Sequence, residues 1–151
     1  MDAAPSVNAD ARYRAFVRRT FRDLVALRSK GDVAAILDRL TPDFVHNPLG
    51  DWTNAPLQPG PCDRAAFAEA LRQVNVEFED LGSEVHEQVV DGDRIAVHRT
   101  VRTRNRGSGA NIEVDEWDHF RIRAGLVTEL ASYVDNSTAA DLDWPAYGPP
   151  R

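Results

Sequence analysis

Apolar residues recur at helical spacing early in the chain: Tyr13, Phe16, Val17, Leu24 and Leu27. Steps of three and four place them on one helix face, which predicts a helix from about Ala11 that stops at Gly31. Asp32 can cap a second helix carrying Val33, Ile36, Leu37 and Leu40, ending before Thr41-Pro42. A strand-like run, FVHNPLG (44–50), follows. Next comes DWTNAPLQPGP, whose three prolines and one glycine require a loop. Asp63 then opens a third helix with Phe67, Ala70, Leu71 and Val74 on one face.

Beyond this the period drops from about 3.6 to two. Glu84 to Val90 and Arg94 to Arg104 flank Asp91-Gly92-Asp93, a hairpin signal. Residues Asn105 to Asn111 contain two glycines and form a second turn. Ile112 to Arg123 and Leu126 to Asp135 flank Ala124-Gly125. Three helices followed by long antiparallel strands predict an α+β domain with its helices on one sheet face. The expected boundaries are a flexible N-terminus over 1–10, one domain over 11–141 and a Pro-rich tail over 142–151.

Alternation along these strands exposes an anomaly. Side chains at i and i+2 share a face, and one face of IAVHRTVRT carries Ile95, Val97, Arg99 and Val101. In IEVDEWDHFRI the corresponding face carries Ile112, Val114, Glu116, Asp118, Phe120 and Ile122. In LVTELASYV the set is Leu126, Thr128, Leu130, Ser132 and Val134. Charged groups inside such stripes are costly unless paired. Arg99, Glu116 and Asp118 lie on strands of one hairpin, so a buried ion pair is one explanation. The other is a cavity in which polar groups converge on a small apolar molecule. The second is preferred, with Phe16 from the first helix adding to the lining.

His46 and Asn47 fall on opposite faces of their strand, so one of them points inward. Val45 looks more core-like than its neighbours, which puts Asn47 inside and His46 at the rim. A turn-capping role for Asn47 before Pro48 is the alternative. The loop from Asp51 to Cys62 is expected to cover the pocket mouth, with Trp52 or Leu57 as an apolar lid.

Bulk properties narrow the partners. A chain of 151 residues with 42% hydrophobic and 28% charged residues has the make-up of one soluble domain. A formal charge of −6 argues against nucleic acid. No apolar run approaches the roughly 18 residues of a membrane span, and the polar MDAAPSVNADAR lacks a signal-peptide core. One cysteine, Cys62, excludes an internal disulfide, and no Cys/His cluster suggests a metal. The cytoplasm is the default compartment, and no cofactor is expected.

Three stretches, KGDVAAILDRLTPDFVHNPLG, VVDGDRIAVHRTVR and FRIRAGLVTELASYVD, give the chain a resemblance to the nuclear-transport-factor-2-like, or SnoaL-like, superfamily. Its members include ketosteroid isomerase, polyketide cyclases and limonene-epoxide hydrolase. The resemblance spans about Ala11 to Asp141. It implies a cone-shaped fold (a cystatin-like α+β barrel) in which a curved mixed, mostly antiparallel sheet and three N-terminal helices enclose a pocket. In ketosteroid isomerases a catalytic aspartate stands where this chain has Asn47, and a protonated acid stands at Asp118. Their oxyanion-hole tyrosine would fall near Phe21 or Leu24. Limonene-epoxide hydrolases use Asp-Arg-Asp, of which Arg99 matches the arginine while Val101 and Ser132 replace the acids. SnoaL-type cyclases pair a histidine with an aspartate, at positions held here by Asp118 and Ser132.

Each family's pattern thus survives in one residue. Asn47 cannot abstract a proton at neutral pH, so Asp118 or Glu116 must carry it, with Arg99 stabilising developing charge and Asn47 and Ser132 orienting the substrate by hydrogen bonds. Two functions follow: proton transfer on an apolar substrate such as a steroid or polyketide (isomerase, cyclase or hydratase type), or non-catalytic binding of a hydrophobic ligand. The outer sheet face carries Ala96, Thr100, Trp117, Val127, Ala131 and Tyr133 among His98, Arg102, His119 and Arg121. That patch, and the resemblance, predict a homodimer.

Overall fold

The computed structural model describes residues 7–49 and 60–134. Within them the chain forms α1 (Val7–Lys30), α2 (Val33–Leu37), β1 (Leu40–Leu49), β2 (Cys62–Asp63), α3 (Arg64–Glu77), β3 (Phe78–Asp91), β4 (Arg94–Asn105), β5 (Asn111–Arg123) and β6 (Leu126–Val134). Helix α1 starts before the apolar stripe that predicts it. Asp32 and Asp63 cap α2 and α3 as expected, each side chain accepting from the backbone N–H three residues on.

The six strands form one sheet in the order β2-β1-β6-β5-β4-β3. All neighbours are antiparallel except β1 and β6, which run parallel. The arrangement is the α+β class read from the sequence. Strand β1 is longer than its sequence signal because Pro42 and Pro48 are both accommodated within it. Ala124 (φ 48°) and Gly125 (φ 82°) both take positive φ in the β5–β6 turn, as a type I′ hairpin requires.

Helices α1 and α3 pack on one face of the sheet. Val17, Phe21 and Leu24 of α1 meet Phe44, Ile95, Val97 and Phe120, and Phe67 and Leu71 of α3 join them. Thr20 is buried within that helix face and donates to the Phe16 carbonyl at 3.1 Å. Tyr13 is 39% exposed, so the helical stripe reaches beyond the core it covers.

Two inner-face assignments need correction. On β1, His46 points inward and is 1% exposed, while Asn47 lies half-buried in a shallow polar groove on the outer face. Phe44 shares the His46 face and is equally buried, whereas Val45 is 36% exposed. The phenyl ring of Phe44, larger than Val45, sets the parity. On β6 the pairing slips from Arg121↔Glu129 to Ile122↔Val127, leaving Thr128 as an extra residue. The bulge turns Val127 into the core and Thr128 outward, reversing both expectations.

Candidate functional site

Beneath the helices the sheet encloses a cavity of about 220 Å³. Its wall is mainly apolar, with Phe21 and Leu24 from α1, Leu71 and Val74 from α3, and Val101, Val114, Phe120, Leu130 and Val134 from the sheet. Polar side chains from adjacent strands interrupt it: Arg99 on β4, Glu116 and Asp118 on β5, Ser132 on β6 and His46 on β1. Strand register explains the convergence. Arg99 pairs with Glu116, Asp118 with Ser132, and Ser132 with Pro48, two residues beyond His46.

Arg99 donates from Nε to Asp118 Oδ2 at 2.9 Å and from a terminal nitrogen to Glu116 Oε1 at 3.3 Å. Its guanidinium lies 6.0 Å from the Phe21 ring centre. Burial opposes the Arg99 charge, but Glu116 and Asp118 outweigh it and hold its pKa above the ordinary arginine value. One cation between two acids leaves an acid in excess. Glu116 absorbs the imbalance: burial, reinforced by the Asp118 charge and opposed by Arg99, pushes its pKa up to about 8. A side-chain hydrogen bond with Asp118 adds to the upward shift, so the protonated form of Glu116 has Asp118 as its acceptor.

Asp118 is the terminus of a second chain of donors. Ser132 Oγ donates to Asp118 Oδ1 at 2.8 Å, so the Ser132 oxygen accepts from His46 Nε2 at 3.4 Å. That assigns the Nε2–H tautomer to His46, and leaves Nδ1 to accept from the Cys62 thiol at 3.7 Å. Pairing of β2 with β1 brings Cys62 opposite His46. Burial holds the His46 pKa down to about 4, against the pull of Asp118, so the ring is neutral. Its ring centre is 5.0 Å from that of Phe67. Burial and Asp63 raise the Cys62 pKa, which keeps it a thiol donor.

The structure brings Arg99, Glu116, Asp118, Ser132, Val101, Phe120, Leu130 and Val134 to one cavity. It does not bring Asn47, which faces away, or Phe16, which packs on the core beside Gly125 outside the lining. Trp52 and Leu57 lie outside the described residues. Sequence reasoning missed His46 inside the site. The usable signal was its i+2 relation to Phe44, the largest apolar side chain on that strand. Among the described residues no three His, Cys, Asp or Glu side chains form a metal-holding group, and no helix is long and apolar enough to cross a membrane.

Several solved structures share this fold. Wild-type IdmH, a proposed polyketide cyclase from Streptomyces antibioticus, aligns with a TM-score of 0.70 at 24% identity, covering 83% of this chain and 96% of that one. An epoxide hydrolase of the LEH-like type from M. tuberculosis aligns at 0.69 with 15% identity, covering 84% and 88%. A proposed isomerase from Bacillus subtilis aligns at 0.73 with 10% identity, covering 85% and 92%. No curated protein sequence gives a significant match. The model of the SnoaL-like domain matches residues 17–130, which hold α3, most of α1 and every polar residue of the cavity wall except Ser132, and the chain therefore belongs to the SnoaL-like family.

Proposed function

We propose that the protein catalyses cofactor-independent proton transfer on a small, mostly apolar carbonyl compound, as an isomerase or cyclase would. The observation that carries this reading is the polar wall of Arg99, Glu116 and Asp118 in an otherwise apolar cavity. Asp118 takes a proton from the carbon beside the carbonyl. Protonated Glu116 turns its O–H from Asp118 to the carbonyl oxygen, and Arg99 offsets the negative charge that the enolate gains. Asp118 then returns the proton to the same or a conjugated carbon, so no proton is lost overall. Ser132 and His46 orient Asp118; Asn47 has no part.

The test is exchange of the α-hydrogens of β-tetralone in heavy water, followed by proton NMR. The wild type should accelerate exchange over buffer. Asp118→Asn, which keeps volume but removes the base, should return the rate to background, and Glu116→Gln should lower it by about 10²-fold or more. Binding without exchange would favour the second reading, a hydrophobic-ligand carrier. That reading draws on the partners of Asp118, both of whose oxygens accept hydrogen bonds from within the protein.

The same proposal includes a homodimer formed through the outer sheet face. Trp117 and Tyr133 sit opposite one another on β5 and β6, 43% and 48% exposed, and His98 stacks on Trp117 at 4.5 Å. Such a patch favours a partner. Light scattering should give twice the 16.8 kDa chain mass, and Trp117→Ser should shift it toward one chain. A wild-type mass of one chain at all concentrations would reject the dimer.

A further inference from the structure

The cavity has a second polar end, and we infer that Arg28 and Thr103 form a subsite there for an uncharged oxygen, hydroxyl or carbonyl, at the far end of an elongated ligand. Strand β4 lays out the distance. Arg99, Val101 and Thr103 follow one another on its inner face, all lining the cavity. At roughly 3.3 Å per residue, Thr103 lies about 13 Å along the strand from Arg99. Between the two ends the register places Val101 opposite Val114, an apolar stretch of the wall.

Both members of the subsite have unused hydrogen-bonding capacity. The Thr103 hydroxyl is shielded from solvent and has no hydrogen-bond partner among the described residues. A valine would fill the same volume without that penalty, and an oxygen of a ligand would satisfy the hydroxyl. Arg28 reaches the cavity from the last turn of α1 with five N–H donors. One nitrogen donates to Asn75 Oδ1 at 2.7 Å, and among the described residues no carboxylate lies within ion-pair distance of it.

The charge balance selects the ligand chemistry. Asp80 also lines the cavity and stands opposite Thr103 in the β3–β4 register. Its Oδ1 accepts from the Gly82 N–H and the Ser29 hydroxyl, which fixes it beside Arg28 without pairing to it. Burial lowers the Arg28 pKa, while Asp80 and Glu116 pull the other way. A carboxylate here would meet the Asp80 charge. A neutral oxygen takes up the free Arg28 donors and the Thr103 hydroxyl without that repulsion.

The inference rests on the proton-transfer reading for which end reacts, but its test is a binding measurement. Calorimetry would compare β-tetralone with the analogue hydroxylated on the aromatic ring at the end remote from the ketone. The wild type should bind the hydroxylated probe about tenfold more tightly. In Thr103→Val and Arg28→Met that ratio should fall toward one, whereas a general loss of packing would weaken both probes alike. Melting curves establish that each variant is folded, and Arg28→Lys should keep part of the preference. Equal binding of the two probes by the wild type, binding of neither, or a ratio that persists in both variants overturns the subsite. A preserved preference without α-hydrogen exchange keeps the subsite and removes only the proposed catalysis.

Discussion

Strands β4 and β5 carry ion pairs on both faces, and the two sets differ in kind. On the outer face Arg102 donates to Glu113 at 2.8 Å and to Glu84 at 3.1 Å, with all three side chains 44% or more exposed. On the inner face Arg99 makes the same two-acid pattern with Asp118 and Glu116, at side-chain exposures of 12%, 1% and 18%. Water solvates the outer group, so its excess acid is inconsequential. Burial denies that relief to the inner group, and the Glu116 pKa is pushed up in consequence. One arginine between two carboxylates thus gives a solvated surface on one side and an acid of raised pKa beside a cavity on the other.

The comparison breaks most sharply at the arginines. Arg99→Met should destabilise the fold by about 3–5 kcal/mol, because it strands buried acids beside one another. For a domain of this size that is a fall of about 10 °C or more in melting temperature. A shift of a degree or two would mean that the inner cluster is solvated after all.

His46 gives the next effect. Its folded pKa is depressed from 6.5 to about 4, so the native state binds fewer protons than the unfolded chain in that window. The stability it contributes is fully present above 6.5 and is lost as pH falls toward about 4. The loss reaches about 3 kcal/mol at the acid end. In His46→Phe this part of the acid limb of a melting-temperature profile should disappear; an unchanged limb would assign it to the carboxylates.

Glu116 has the opposite sign. Its pKa is raised from 4.5 to about 8, so the folded state binds more protons and its contribution to stability falls as pH rises through that window. Glu116→Gln mimics the protonated form. Its melting temperature should decline less than that of the wild type between those values, and parallel profiles would show that Glu116 is ionised throughout. The smallest change belongs to the outer face: Arg102→Met should cost under about 1 kcal/mol, and less in high salt. A loss comparable to that of Arg99→Met would erase the distinction between the faces.

Much of the site was legible from alternation alone. Period-two spacing put Arg99, Glu116, Asp118 and Ser132 on stripes that the structure brings together, because β4 and β5 pair without a slip over that stretch. The method failed where the ladder slips. At the β6 bulge one extra residue exchanges the roles of Val127 and Thr128. It failed also on β1, where Val45, read as core-like, put Asn47 inside, and the larger Phe44, on the His46 side, decided the face. Cys62 escaped notice because its place beside His46 depends on β2, a two-residue strand with no sequence signature.

The sequence by itself determined the helices, the hairpins and their caps, since these depend on apolar period, turn residues and local hydrogen bonds within a few positions. It determined as well that polar groups interrupt the inner stripes. Only the tertiary structure decided that the Glu116 pKa is raised, that His46 stays neutral and that Arg28 and Thr103 line the same cavity as Asp118. Those properties arise from desolvation and from charges on different strands and helices, and neither is encoded in the neighbours along the chain.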